Sequence, residues 1–407
     1  LDAPVQRYLP WFRVADPEAS AQITVRHLLN QTSGLPQLCG LRPLTDFDDG
    51  PSASERQARA LYTLQLIRPV GSAWEYCNMN YNLLGLIVEV ASGESYDAYV
   101  HNHILGPLKM AHSYASQAEA KQNGMAVGHR YWFAIPFAEP DLPLPRGSLA
   151  AGELICSSED MARYLIAHLN EGRYDGVRIL SAAGIDELHR PAVEAKQMGI
   201  AFGHYGMGWI IEETGQTKIV WHSGTVPDFF AYMAILPEQK RGVVMLVNAN
   251  HLMMDKMAFT EVGMGVARLL AGERPVPSWF GAVPWALRGL PLIPALQVVG
   301  AAATLRRLLR WHRDPNSRPP GGRKWGRYIL LPLIPDLLVS LPLLGSLWTG
   351  TLDVPLLGLV GRGTLDVFLL FMPDVSRIAL ACGGFALAWM VLRTGLILWT
   401  LRKRSVA

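Results

Sequence analysis

The sequence predicts an α+β domain followed by an α-helical membrane region. Three observations carry this. Helical patterns come first, short strand-like runs follow one another after residue 200, and residues 283–407 turn basic and strongly apolar. Helices followed by consecutive strands argue for α+β rather than an alternating parallel fold.

Thr24 reads as an N-cap for a helix over Val25–Gln31, and Gly34-Leu35-Pro36 reads as its stop. A second helix fits 54–67, ended by Arg68-Pro69-Val70-Gly71. A third runs over Tyr81–Ala91, with Gly93 just past its end. Ser157 and Asp160 form a candidate capping box for a helix over 158–170. The runs Tyr205–Glu213, Thr217–His222, Phe229–Leu236 and Gly242–Asn248 are rich in β-branched and aromatic residues. Turns at hairpin distances separate them, so they form an antiparallel meander, with a helix over 256–271 behind it.

The formal net charge of +3 hides a division of the chain. Residues 1–282 carry 22 Lys+Arg against 29 Asp+Glu, and residues 283–407 carry 15 against 5. The basic residues sit in blocks beside apolar runs and not along an amphipathic face, which excludes nucleic acid as the expected partner. Cys39, Cys77, Cys156 and Cys382 are widely spaced, with no CxxC and no Cys/His cluster. They read as small buried thiols, and neither a metal site nor a disulfide framework is expected. Nothing in the sequence asks for a cofactor.

Two domains are expected: a globular domain over 1–275 and a membrane region over 283–407. Stretches 283–305, 328–349 and 378–400 are long and apolar enough to cross a bilayer, although Arg288 and two prolines weaken the first. Basic blocks at 306–327 and at Arg402-Lys403-Arg404 put those segments in the cytoplasm by the positive-inside rule. Three spans then place residues 1–280 outside. The expected location is the cell membrane, multi-pass, with the lipid bilayer as one partner and a small-molecule or peptide substrate as the other.

Two tripeptides could carry chemistry. In Tyr76-Cys77-Asn78, expected in the loop before the third helix, a tyrosine can relay protons and an asparagine amide can hold a carbonyl. Taken alone, the tripeptide also fits an anchoring aromatic beside a helix cap. His222-Ser223-Gly224, expected where a strand ends in a turn, can offer polar side chains and a close backbone N–H to a substrate along the strand edge. Alone, it also fits an ordinary strand end.

Order and flanks sharpen both readings. Leu1-Asp2-Ala3-Pro4-Val5, the stretch from Leu28 through Gln31-Thr32-Ser33-Gly34 to Pro36, Tyr76-Cys77-Asn78 and His222-Ser223-Gly224 together resemble the serine β-lactamase-like family. That family includes class C β-lactamases, penicillin-binding DD-peptidases, D-aminopeptidases and related esterases. The resemblance covers about 1–270 and implies an antiparallel sheet flanked by helices. It implies Tyr76, Asn78 and His222 as catalytic residues, with Ser223, Gly224 and Thr225 binding substrate. Tyr76 would move protons, Asn78 would hold the amide or ester, and His222 would keep the site electropositive. Gly224 would permit close approach, and the Thr225 N–H would be one oxyanion donor.

The family's Ser-x-x-Lys is absent, because none of the eight lysines follows a serine by three residues. It supplies the nucleophile and its activator, and in the family it precedes the Leu-Asp-x-Pro-Val stretch. The gap is therefore expected to be a cut upstream of Leu1, with an incomplete sheet edge. The function expected of the intact protein is a membrane-anchored serine hydrolase acting by acyl-enzyme chemistry on an amide or ester. The alternative is a non-catalytic binding or sensing protein with the same cleft.

Overall fold

A computed structural model describes residues 1–197, 200–214, 217–255, 258–275, 279–317, 331–338, 340–341, 344–345, 352–353 and 362–402. The chain divides into two compact units. One comprises Leu1–Arg130 and Pro136–Gly281, with Leu356–Val360 outside the described residues. The other comprises Tyr131–Ile135, Ala282–Pro355 and Gly361–Ala407.

After a helix at Pro17–Gln22, the helices of the first unit that bear on the site are α1 (Val25–Leu29), α2 (Gln37–Leu41), α3 (Ala53–Arg59) and α4 (Asn78–Ser92). Thr24 and His27 close a capping box on α1, each side chain bonding the other's backbone N–H at 3.2 Å. The helix stops at Leu29, earlier than expected. Gln31 takes a left-handed φ of 57° and turns the chain before Gly34 is reached. Gly34 has its own role, since a Cβ there would meet the Arg68 carbonyl oxygen at 2.4 Å and its φ is +82°. The third helix begins at Asn78, so Asn78 lies in its first turn rather than in the preceding loop. Gly93, at φ 76°, caps its end as expected. Val5, Leu9, Phe12, Leu28, Leu35, Leu83 and Ile87 fill the core of this helical part.

The sheet is a six-stranded antiparallel meander of β1 (Val193–Gln197), β2 (Ile200–Tyr205), β3 (Ile210–Thr214), β4 (Thr217–Val226), β5 (Phe229–Leu236) and β6 (Arg241–Val247). The single strand expected over Tyr205–Glu213 is in fact the end of β2, a turn and β3. Gly208, at φ +86°, sits in the turn, and Gly206 packs against the Leu188 and Arg190 carbonyls. β4 does not end at His222. It stays paired with β5 as far as Val226↔Phe229, and the two-residue turn is Pro227-Asp228. Among the described residues β6 pairs only with β5, and its Leu246 is exposed at that edge.

Helices cover both faces of the sheet. On one face, α6 (Met264–Leu270) packs Met264 and Ala267 onto Trp221 and Tyr232. On the other, α5 (Ser158–Leu169) places Leu165 against Trp209, Ile211, Val220 and Ile235. The Ser157 hydroxyl caps α5 at the Asp160 N–H (3.1 Å), but Asp160 does not complete a capping box. Its carboxylate accepts from His112 N and Ser113 Oγ instead, and it pairs with Arg163. Of the helix expected over 256–271, the described part is a π-helical turn at Ala258–Gly263 leading into α6.

In the second unit, α7 (Val283–Gly289) and α8 (Leu292–Arg313) break at Leu290-Pro291, and α9 spans Pro373–Arg402. Two helices, Phe280–Arg313 and Pro373–Trp399, are long and apolar enough to cross a membrane. The expected middle span, 328–349, lies partly outside the described residues, although 331–338 are helical. α8 and α9 meet through Leu308, Trp311 and Ile397, and His312 stacks on Trp399 at 4.2 Å. Asp336 pairs with Arg393 of α9 at 2.8 Å. The turn within Tyr131–Ile135 is fixed to α9 by the Phe133 N–H on Asp374 (2.7 Å) and by Arg377 over the Trp132 ring.

A buried network centred on Gln31 ties the end of α1 to the segment 75–80. The buried Gln31 Oε1 accepts from the Cys77 N–H at 2.9 Å and from Asn80 Nδ2, and its backbone carbonyl accepts from the Glu75 N–H at 2.9 Å. Ser33 Oγ completes the network on Asn80 Oδ1 at 2.6 Å. Gln31→Leu strands two buried donors and is expected to cost about 2–4 kcal/mol. Denaturant unfolding of the chain in detergent measures this, and a loss below about 0.5 kcal/mol would remove Gln31 from the role.

Candidate active site

Tyr76 and His222 are distant in sequence, and the fold brings them together. Their rings lie 6.3 Å apart between centroids, and Tyr205 lies 6.4 Å from each. Trp74 borders the group at 6.2 Å from Tyr76 and 6.1 Å from Tyr205. Three elements position them. The Gln31 network fixes the segment 75–80, β2 delivers Tyr205, and β4 delivers His222. Asn78 follows two residues after Tyr76, its backbone N pressed against Gly40, where a Cβ would come within 2.4 Å. Only glycine lets α2 sit this close to the segment.

β4 has one paired side and one open one along the residues of interest. Its register with β3 ends at Trp221↔Ile210, while pairing with β5 continues through His222↔Met233, Ser223↔Tyr232, Gly224↔Ala231 and Thr225↔Phe230. From His222 onward, among the described residues, no strand covers the β3 side. This is where an extended substrate can add to the sheet. A Cβ at Gly224 would touch only Ala231, at 3.7 Å, so the space over this glycine is open. Strand alternation places His222 and Gly224 on one face and Ser223 and Thr225 on the other. The Thr225 hydroxyl donates to Asp255 Oδ2 at 3.0 Å, which leaves its backbone as the group available to a ligand.

The electrostatics are those of a dry, neutral site. Burial, with Cys77 beside it, pushes the Tyr76 phenol up to about 12. Burial beside Tyr81 and Tyr76 holds Tyr205 well above the usual phenol range. Burial draws His222 below its ordinary value, opposed only by a backbone hydrogen bond at Ser223, so the imidazole is neutral at pH 7 and gains charge only in acid. The positive site expected from His222 therefore requires low pH.

Three residues were not foreseen as part of this arrangement. Gln31 lay within the recognised Leu28–Pro36 stretch, but its contact with Cys77 crosses 46 residues. Tyr205 looked like an ordinary aromatic strand residue. Cys39 on α2 brings its Sγ to 3.2 Å from that of Cys77, a pairing that the spacing of the cysteines gave no reason to expect.

Residues 1–263 match the sequence profile of the family described as Beta-lactamase. The chain is 28% identical over 263 residues to Protein flp of Staphylococcus aureus (strain COL), which covers 63% of this chain and 49% of that protein. It is 28% identical over 282 residues to penicillin-binding protein 4 of Amycolatopsis lactamdurans, covering 67% of this chain and 71% of that one. It thus spans about half the length of the flp proteins it matches. Among solved structures, the octameric penicillin-binding protein homologue from Pyrococcus abyssi superposes with a TM-score of 0.57 at 28% identity, over 68% of this chain and 61% of that one. The antiparallel sheet flanked by helices, the open edge at His222–Thr225 and the profile match over more than half of the chain lead to one assignment: the chain belongs to the beta-lactamase family.

Proposed function

We propose that this chain belongs to a serine hydrolase that cleaves an amide or ester through an acyl-enzyme, held at a membrane by its helical region. One observation carries the reading: Tyr76 faces His222 beside a strand edge that is open from His222 to Thr225. A substrate paired along that edge has its scissile carbonyl beside the Thr225 N–H, and Gly224 leaves room for it. Asn78 holds the amide or ester from the first turn of α4. Tyr76 passes a proton between nucleophile and leaving group, which requires a cation close enough to bring its phenol down from about 12. The Ser-x-x-Lys of the family would supply both nucleophile and cation. A relative whose name states that it binds penicillin supports a peptide-like amide as the substrate class.

The basic blocks of the sequence support a cytoplasmic C-terminus with residues 1–280 on the outer side. A second reading, a binding protein without turnover, is favoured by the high Tyr76 pKa in the chain as it stands.

The deciding experiment treats the whole product of the gene, including any residues that precede Leu1, with a membrane-impermeant fluorophosphonate on intact cells. Labelling is expected, slowed at least tenfold by Tyr76→Phe and by His222→Ala. No labelling in any form selects the binding reading, and equal labelling of both variants moves the site elsewhere. The His222 charge gives a second measurement. Its pKa lies below the ordinary 6.5, so the positive form is absent at pH 7–8 and is gained as pH falls. Affinity for a carboxylate-bearing ligand, relative to its neutral amide, is therefore expected to rise as pH drops below about 6.5. His222→Gln should flatten the trend, and a preference that weakens toward acid would contradict the role.

A further inference from the structure

A cavity of about 330 Å³ lies beyond the turn that follows Thr225, walled by Phe47, Pro140, Pro227 and Phe229 and floored by Glu153 and Asp228. Val226, the neighbour of Thr225 on β4, forms part of its wall, so the cavity adjoins the end of the strand that carries the open edge. Glu153 is 4% exposed and Asp228 6%. Burying two carboxyl groups side by side is costly unless a cation or a proton compensates. Among the described residues nothing hydrogen-bonds the Glu153 carboxyl. Arg130 attracts Asp228 but is shared with Glu139, 3.5 Å away, and Lys121 stands exposed at the rim. Asp228 is held hard against the Gly128 backbone, where a Cβ would come within 2.2 Å of its Oδ2. Here is a place for positive charge that, among the described residues, only Arg130 partly meets, in a cavity with several apolar walls.

We propose that this cavity receives an ammonium group on an apolar stem, carried by the molecule that lies along the β4 edge, with Glu153 and Asp228 as its counter-charges. This rests on the substrate-edge reading above, and it narrows the substrate class to amides or esters bearing a primary amine near the scissile bond. Burial and the charge of Asp228 push Glu153 up to about 8, and burial brings Asp228 to about 6 despite Arg130. Glu153 therefore holds a proton at pH 7 that an arriving cation displaces. Glu139 and His129 also act on Asp228, the first raising and the second lowering it.

The test is calorimetric binding to the full chain in detergent, with no turnover involved, so its failure leaves the hydrolase reading standing and the failure of labelling leaves this one standing. Nα-acetyl-lysine methylamide is expected to bind at least tenfold tighter at pH 7 than Nα-acetyl-norleucine methylamide. Binding should release a proton, read from the dependence of the heat on buffer ionisation enthalpy. Glu153→Gln and Asp228→Asn should each abolish the preference, and Glu153→Gln the proton release. Equal affinity for the two probes in the unmodified chain overturns the proposal, as does an unchanged preference in Glu153→Gln. Free 1,5-diaminopentane binding as tightly as the lysine probe overturns the assignment to a substrate-borne amine.

A separate observation carries a second inference. Cys39 and Cys77 are both buried with their sulfurs 3.2 Å apart, and Cys77 stands between Tyr76 and Asn78. The structure assigns this pair as an oxidisable dithiol whose disulfide staples α2 to the segment carrying both residues. In the reaction one cysteine thiolate attacks an external disulfide such as oxidised glutathione and releases one glutathione. The second cysteine then displaces the other, so two electrons and two protons leave the pair as the new S–S bond forms. Peptide mapping after oxidised glutathione treatment is expected to find Cys39 and Cys77 cross-linked, two hydrogens lighter, with Cys156 and Cys382 still alkylatable. Cys39→Ser should leave Cys77 as a glutathione adduct. Full alkylation of both thiols after oxidation, once the chain is unfolded, overturns it.

Discussion

The buried carboxamide of Gln31 is the contact on which the site depends. Its one oxygen satisfies the Cys77 N–H and the Asn80 side chain, and its carbonyl satisfies the Glu75 N–H, so it holds both flanks of Tyr76. A residue at φ 57° accepts backbone strain in return for turning α1 back toward that segment. The link helps to hold the segment that carries Tyr76 against the sheet residues Tyr205 and His222.

The sheet contributes the other half. β3 stops pairing at Trp221 while β5 continues, so β4 is supported on one side over the very residues that present an open edge on the other. Support matters because an edge strand that must bind along its backbone cannot itself be loose. The helices on the two faces, through Leu165 and Met264, supply that rigidity. Around this edge the chain places few charges. Tyr76, Tyr205 and His222 are neutral near pH 7, and two buried carboxyl groups, Glu153 and Asp228, line the cavity beside the turn that ends β4.

Much of this was legible in the sequence wherever a local rule applied. The Thr24 cap, the Gly93 stop and the succession of β-branched runs in hairpin spacing each depend on residues within a few positions of one another. Errors arose where tertiary contacts overrode local pattern. β4 ran past His222 because the partner strand was long enough to hold Ser223 and Gly224 in register. Tyr205–Glu213 read as one strand, although a turn at Gly206–Gly208 divides it, and Gly206 there lies close to the Leu188 and Arg190 carbonyls of another segment. Asp160 left its expected cap because His112 and Ser113 offered donors from another segment.

By itself the sequence determined the class of domain, the two tripeptides and the division between an acidic globular part and a basic apolar tail. Those follow from residue type and from spacing along the chain, which hydrophobic periodicity and turn chemistry make readable. Only the tertiary structure decided that Tyr76 meets His222, that Cys39 meets Cys77 and that two carboxyl groups share one cavity. Each of these joins residues separated by tens of positions. Their proximity is fixed by the summed packing of the sheet and its covering helices, and their ionisation by how deeply that packing removes them from water.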